Sequence, residues 1–505
     1  MTSHIDAVQV WMLSPELSVV VLGFIVLGLD LFTKSRALIA WVAIAGLLVP
    51  TFFTISLATD LFGSHPTHGF FGMLVVDQFS LFFKFLFLGA GFGVLLVSYG
   101  YVGKYLRATI GEYYSIILLS LAGMMLMAST GELISIYISL ELTSIPLYIL
   151  AGLSRRDARS AEAAIKYVLL GAMSSAILLY GMALLYGATG STDLSEIFTA
   201  ATQSLHSSNL LLLAADALIF AGFGFKISAV PFHMWAPDIY EGAPAPSTLF
   251  FSVGSKAAGF AAILRVFVAG GLVASTSSYL WVMVAVVAAV TMTLGNVVAL
   301  LQTNIKRMMA YSSIGQAGYL LVGLAAVMIH SGAGGDAAKA AGNLGILTFL
   351  AVYVVTNIGV FAGIIALADA TGRESIRDYD GFGRRSPFIA FGMALCLLSL
   401  AGIPPMAGFF SKLFILWSAW NQGSALTWLV VLGLINSAIS LVYYANVIWR
   451  MYTVEPAKRD RLSTPRTVTV TMAFSVVAIL ALTVAFGVLL NSLGAGASSL
   501  FTLSK

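Results

Sequence analysis

Fourteen apolar runs, each close to the roughly 20 residues a helix needs to cross the hydrocarbon of a bilayer, leave this chain one kind of fold. With no water at that depth to satisfy backbone N–H and C=O groups, such runs must be helices packed as a membrane bundle. They fall near 16–33, 37–58, 78–100, 112–130, 132–153, 161–188, 209–240, 247–270, 278–301, 305–329, 341–369, 387–421, 426–452 and 466–491. The composition agrees: 59% of the 505 residues are hydrophobic, 10% are charged and the mean hydropathy is +0.95, far above a soluble domain. The expected fold class is an all-α polytopic membrane protein. The N-terminal Met-Thr-Ser-His-Ile-Asp lacks the basic segment of a signal peptide, so the first run is expected to remain as a helix.

Loop charges test the count, because cytoplasmic loops are enriched in Lys and Arg. Lys34 and Arg36 follow the first helix, Lys104 and Arg107 the third, Arg155, Arg156 and Arg159 the fifth, and Lys306 and Arg307 the ninth. Arg373, Arg377, Arg384 and Arg385 follow the eleventh, and Lys458, Arg459, Arg461 and Arg466 the thirteenth. Every cluster follows an odd-numbered helix, and the opposite loops are almost free of basic residues apart from Lys339. This places both termini on the outer side. The loop after the seventh helix is the exception, inside by count yet acidic with Asp238 and Glu241. The net charge of +4 is spread over these short loops rather than along a stripe, so nucleic-acid binding has no support.

Two runs are long and carry internal prolines: the seventh, with Pro231, and the twelfth, with Pro404 and Pro405. They are five helices apart. Since five is odd, helices 4–8 and 9–13 would be two copies of one unit facing opposite ways, an inverted-repeat plan in which discontinuous helices meet near the midplane. Chance placement of prolines is the competing account, because membrane helices tolerate them. The corresponding division is 1–110 for helices 1–3, 111–271 and 272–453 for the two repeats, and 454–505 for helix 14.

Six basic residues lie outside the loops: Lys84, Lys166, Lys226, Lys256, Arg265 and Lys412. Lys84, Lys166 and Arg265 sit near helix ends and are expected to snorkel to the headgroups. Lys226, Lys256 and Lys412 have nine or more residues of helix on either side, where a lysine stands about 3 kcal/mol uphill and marks function by default. Each needs a hydrated cavity or an anionic partner. The expected partner is Glu141, read as the only carboxylate deep in a span. Three amines against one carboxylate leave charge uncompensated, and desolvation disfavours the charged form of an amine, so a lysine held this way can take and release a proton. A structural Glu–Lys pair is the competing account. The expected route runs from Lys226 through Lys256 to Lys412. His233, just past Pro231, either joins it or bonds the carbonyls freed by the break. No phosphate loop, Walker sequence, HExxH or trustworthy heme-ligating pair of histidines is present, and His4, His65, His68, His206 and His330 fall in the tail or loops. The single cysteine, Cys396, lies in an apolar run and reads as a packing residue. No cofactor and no metal are therefore expected in this chain.

At these residues the sequence resembles a known family, the antiporter-like membrane subunits of proton-pumping NADH:quinone oxidoreductase, respiratory complex I, and among them the N-type. The likeness is densest at Gly131–Tyr148, Phe225–Pro246, Gln302–Ile314 and Leu398–Lys412. The resemblance implies that Glu141 pairs with Lys226, that helix eight supplies the central relay residue and that helix twelve supplies the terminal one. Helix eight carries Ser255-Lys256-Ala257 where the L- and M-type relatives usually have a histidine. Lys412 stands where the M-type usually has a glutamate, and the chain stops at Lys505 without the lateral helix of the L-type. The resemblance further implies a subunit of the membrane arm, expected in a bacterial plasma (inner) membrane. Its partners would be other antiporter-like and small membrane subunits, with NADH or ferredoxin, FMN, iron–sulfur clusters and quinone handled elsewhere in the complex. A multisubunit cation/proton antiporter and a non-pumping structural subunit of the arm are the alternatives.

Overall fold

A computed structural model describes residues 7–33, 35–61, 67–203, 210–269, 277–329, 335–456 and 460–502. Lys34, Lys458, Arg459, His4, His65, His206, His330, Lys505 and the side chain of Lys339 lie outside the described residues. The first seven spans are α1 (Ser14–Phe32), α2 (Arg36–Gly46, resumed as Leu48–Leu61), α3 (Gln78–Tyr105), α4 (Ile110–Ala128), α5 (Leu133–Ala151), α6 (Ala158–Thr189) and α7 (Leu210–Ile227, resumed as Trp235–Gly242). The rest are α8 (Ala245–Ala269), α9 (Ser277–Ala299), α10 (Ile305–Met328), α11 (Gly335–Thr371), α12 (Pro387–Ala401, resumed as Ala407–Trp420), α13 (Ser424–Thr453) and α14 (Arg466–Val484). Among the described residues, 13 helices are long and apolar enough to cross a membrane. The fourteenth expected span is α12, whose two halves are each too short to do so alone.

Two details depart from expectation. The last apolar run is two helices, because the chain turns at Ala485 and continues as α15 (Phe486–Thr502), which packs on α3 and α11. Between α2 and α3 lies a small antiparallel hairpin, β1 (Thr67–Gly69) with β2 (Leu74–Val76), pairing His68 with Val75. It docks on the turn after α4, where Val75 N donates to Ser129 O at 2.7 Å.

Both expected helix breaks are present, and the freed backbone is satisfied locally, as an apolar surrounding demands. In α7 the chain leaves the helix at Ser228, at φ +61°, with Ser228 N donating to Phe225 O and Ala229 N to Gly224 O. Trp235 Nε1 also reaches Phe225 O at 2.8 Å, and Val230 N donates to Thr291 Oγ1 of α9 at 3.0 Å. In α12 the stop is Gly402 at φ +83°, the left-handed geometry that glycine adopts at a helix C-terminus. Each break contains a cis X–Pro bond, Val230–Pro231 and Pro404–Pro405.

Every residue of α8 is buried, and this helix forms the axis against which α3, α4, α7 and α11 pack. The end of α3 and the connections after α5, α7, α9 and α11 gather around one polar cavity of ≈ 550 Å³, lined among others by Tyr101, Asp157, Ala243, Asn304 and Glu374. They therefore share one side of the bundle. The acidic exception falls into place here: Asp238 accepts from Lys166 at 2.6 Å and from Arg307 at 2.8 Å, and Glu241 accepts from Arg307 at 3.1 Å.

Lys166 is 41% exposed and lies at the helix end as expected. Lys84 and Arg265 do not snorkel. Lys84 pairs with Glu16 of α1 at 2.9 Å, with the two side chains 0% and 1% exposed. Arg265 is fully buried, grips both Asp77 carboxylate oxygens at 2.8 and 2.7 Å and donates Nε to Ala128 O at 3.0 Å. Sequence position suggested a reach to the headgroups, but each cation has a carboxylate from another helix beside it, which compensates the charge more directly.

Candidate functional site: a line of buried lysines

The helix breaks set the site. Where α12 stops, the carbonyls of Leu400 and Ala401 have no helical partner, and the Lys412 ammonium returns from the second half to take both, at 2.7 and 3.1 Å. A cation there also opposes the negative end of the helix dipole. Close approach makes this possible: a Cβ on Gly402 would lie 3.0 Å from Lys412 Cδ, and one on Gly408 would lie 1.9 Å from Ser399 O. The ammonium sits 4.9 Å from the Tyr319 ring centroid.

Lys256 directly follows a π-helical stretch, Phe251–Ser255, in α8. Such a bulge shifts the face of the helix on which later side chains emerge and recurs at functional sites. The ammonium donates to Ser313 of α10 through both its carbonyl and its hydroxyl, and it lies 5.9 Å from the Tyr353 ring centroid. Lys226, at the end of the first half of α7, donates to Ser144 Oγ of α5 at 2.6 Å. Gly259, one turn beyond Lys256, brings α8 against the Lys226 stem: a Cβ there would meet Lys226 Cγ at 3.3 Å and Ile227 Cγ2 at 2.8 Å.

All three lysines are buried, and among the described residues none makes an ion pair within 4 Å. Glu141 stands one helical turn before Ser144, which places the two on the same face of α5, but it is half-buried and forms no direct pair with Lys226. It is also not the only carboxylate within a span, since Asp216 of α7 is fully buried and Glu16 is buried at the start of α1. His233 is half-buried beyond the break, its carbonyl accepting from Ala236 N; its Nδ1 has no hydrogen-bond partner, and no bond joins it to the three lysines.

Between Lys256 and Lys412 runs a line of hydroxyl, amide and carbonyl groups. From Lys256 it passes to Ser313 and its chain neighbour Ser312, whose hydroxyl shares a hydrogen bond with Tyr444 OH. Gln316 Nε2 reaches that phenol at 3.5 Å and Leu400 O at 3.1 Å, the same carbonyl that Lys412 takes. A parallel branch leaves Ser313 Oγ for Tyr353 OH at 3.0 Å. Tyr353 and Lys412 line one small cavity of ≈ 10 Å³, about the room that one water centre occupies. Between Lys226 and Lys256 the contact is the Gly259 approach, without a direct polar link. The linking groups Ser144, Ser312, Ser313, Gln316, Tyr353 and Tyr444 were not singled out from the sequence for this role. Ser312 and Ser313 lie in the Gln302–Ile314 stretch, but a hydroxyl in a span is too common to identify as a link until its neighbours are known.

Residues 130–440 match the family model described as "NADH:quinone oxidoreductase/Mrp antiporter, TM". The chain is 42% identical over 484 residues to NADH-quinone oxidoreductase subunit N 2 of Symbiobacterium thermophilum, 93% of each chain. It is 40% identical over 496 residues to NADH-quinone oxidoreductase subunit N of Heliobacterium modesticaldum, 97% of this chain and 99% of the other. Its structure superposes with TM-score 0.75 and 30% identity on a chain of respiratory complex I from Thermus thermophilus with bound aureothin, covering 94% of this chain and 98% of that one.

Proposed function

This chain belongs to the NADH:quinone oxidoreductase/Mrp antiporter membrane family, on its subunit N branch, and from that premise we propose that it moves protons through its buried lysines in step with quinone reduction carried out by partner subunits. It is an antiporter-like integral membrane subunit of the membrane arm of an NADH–quinone oxidoreductase. The observation that carries the proton reading is the line of hydrogen-bonding groups between Lys256 and Lys412, bridged at one point only by the Ser312–Ser313 chain step and ending on amines that no carboxylate pairs with. The hydroxyls can receive one proton and release another, the Gln316 amide and Leu400 carbonyl can hold exchangeable water between them and Lys412, and a dry amine with hydroxyl and carbonyl neighbours gives up its charge more readily than one held by a carboxylate.

In this reading Lys226 loads the line and Lys412 ends it, while Glu141 modulates Lys226 from the half-buried face of α5. Electrostatic changes arriving from neighbouring subunits shift the balance between charged and neutral lysines. The NADH or ferredoxin site, FMN, iron–sulfur clusters and quinone belong to those partners. The matching breaks of α7 and α12 support the division into inverted units 111–271 and 272–453, with the basic-loop side facing the cytoplasm of a bacterial cell and both termini outside. Replacing Lys226 or Glu141 with alanine should lower proton pumping and quinone reduction together in an assembled complex. Normal pumping by those variants refutes the relay. A merely structural subunit would instead show its defect in assembly on a native gel, and a separate antiporter subunit would show cation-dependent proton exchange in vesicles.

A further inference from the structure

The ≈ 550 Å³ cavity on the basic-loop side has a floor that the relay described above does not use. There Lys306, the second residue of α10, is 3% exposed; it pairs with Glu374 at 2.7 Å and donates to Ala243 O at 2.8 Å. Glu374 keeps 23% of its side chain open. Both members line the cavity, Glu374 as the open one and Lys306 as the almost fully buried one. Seven residues on, two turns deeper and about 10 Å along the same face of α10, stands Ser313, which holds Lys256.

The second half of α7 packs along this stretch of α10. The turn that ends it contacts Lys306 through Ala243 O, and Tyr240 OH lies 3.4 Å from Ser313 Oγ. The start of α8 adds two more buried hydroxyls: Thr248 Oγ1 donates to Tyr240 O at 3.1 Å, and Ser247 Oγ has no hydrogen-bond partner. A buried hydroxyl left without a protein partner marks a place for exchangeable hydrogen bonding. Among the described residues these are polar groups placed between the cavity floor and Lys256, with no direct hydrogen bond from Lys306 to the Tyr240 hydroxyl.

We propose that the Lys306–Glu374 pair is the proton entrance to Lys256, fed from the ≈ 550 Å³ cavity and connected by Tyr240 and Ser313. The proposal rests on Lys256 being a relay residue. The cycle balances. A proton from cavity water neutralises the Glu374 carboxylate and loosens its hold on Lys306. The Lys306 ammonium passes one proton inward by way of an intervening water, and the hydroxyls of Tyr240 and Ser313 each receive one proton and release one. Lys256 gains a proton to become an ammonium. Lys306, now neutral, recovers a proton from the Glu374 carboxylic acid, and the ion pair is restored with one proton moved inward.

The test uses the assembled complex in inverted membrane vesicles, with proton uptake and quinone reduction measured on the same preparation. Glu374→Gln, Lys306→Met and Tyr240→Phe should each produce the loss of proton uptake seen with Lys256→Ala. Loss in Lys256→Ala alongside wild-type uptake in Glu374→Gln and Tyr240→Phe overturns the entrance and leaves the relay standing. Wild-type uptake in an assembled Lys256→Ala complex overturns the relay itself. Should a charge variant fail to assemble, Tyr240→Phe decides, since it removes only a hydroxyl. The side of the cavity is checked with Thr303→Cys on its wall, because the native Cys396 is buried. A membrane-impermeant maleimide should label that cysteine from the exposed face of inverted vesicles, and labelling only in right-side-out vesicles overturns the proposal.

Discussion

Asp77 carries two loads at once, and the structure separates them. Its carboxylate takes the Arg265 guanidinium at 2.7 and 2.8 Å, and the same side chain caps α3 by accepting from Ser80 N at 2.8 Å, inside a capping box completed by Ser80 Oγ. Asp77→Asn keeps a cap acceptor and removes the charge, leaving a fully buried guanidinium over the Phe79 ring without its counter-ion. Breaking a buried pair from one side costs about 3–5 kcal/mol. Asp77→Ala removes the cap as well, which adds about 1 kcal/mol. Replacing both partners, as Asp77→Asn with Arg265→Met, takes the desolvated charge away and should cost markedly less than Asp77→Asn alone. The expected order of stability is wild type, then the double variant, then Asp77→Asn, then Asp77→Ala. It is read as resistance of the assembled band and of quinone reductase activity to graded heating. If the double variant is no more stable than Asp77→Asn, the uncompensated charge is not what the pair protects against, and the reasoning fails.

Two further outcomes follow from close contacts and single hydroxyls. Gly259→Ala places a methyl 2.8 Å from Ile227 Cγ2 and 3.3 Å from Lys226 Cγ, so α8 must shift away from α7. Proton uptake should fall in complexes that still assemble, whereas Gly103→Ala, with nothing within 4 Å, should leave uptake unchanged. Tyr444→Phe keeps the ring and deletes the link between Ser312 and Gln316. It should cost about 1 kcal/mol of stability while lowering proton uptake far more than heat resistance, and unchanged uptake would assign conduction to the Tyr353 branch.

Helix number, both breaks and the three deep lysines were legible because they follow from span length, proline chemistry and the cost of an amine in hydrocarbon. What stayed hidden depended on packing between helices far apart in sequence. Lys84 and Arg265 looked like snorkelling side chains because their carboxylates, Glu16 and Asp77, belong to other helices or helix starts. Glu141 looked like the direct partner of Lys226, yet a hydroxyl one turn along, Ser144, takes the ammonium. Asp238 and Glu241, expected in the loop after α7, lie on its second half, and they looked anomalous until Lys166 and Arg307 were seen to approach them from α6 and α10. The hairpin before α3 and the turn at Ala485 lay below the resolution of a hydropathy pattern, which reads span length and not local backbone geometry.

Among the described residues the deeply buried cations differ in what faces them, and under the proposed relay that difference separates held charges from exchangeable ones. Lys84 and Arg265 each face a carboxylate at 2.7–2.9 Å. At such a separation, with an effective dielectric near 20, the attraction is about 6 kcal/mol, which offsets a desolvation cost of several kcal/mol per ion. Lys226, Lys256 and Lys412 instead face hydroxyls and carbonyls, dipoles that solvate the ammonium without fixing it. A proton leaving one of these amines abandons only hydrogen bonds. Lys306 stands between the two: it has a carboxylate, but among the described residues Glu374 is the buried-pair anion that opens on a polar cavity. Under the proposed entrance, a proton from that cavity neutralises the anion and converts Lys306 for a moment from a held charge to an exchangeable one, so Glu374→Gln should uncouple the cavity from Lys256.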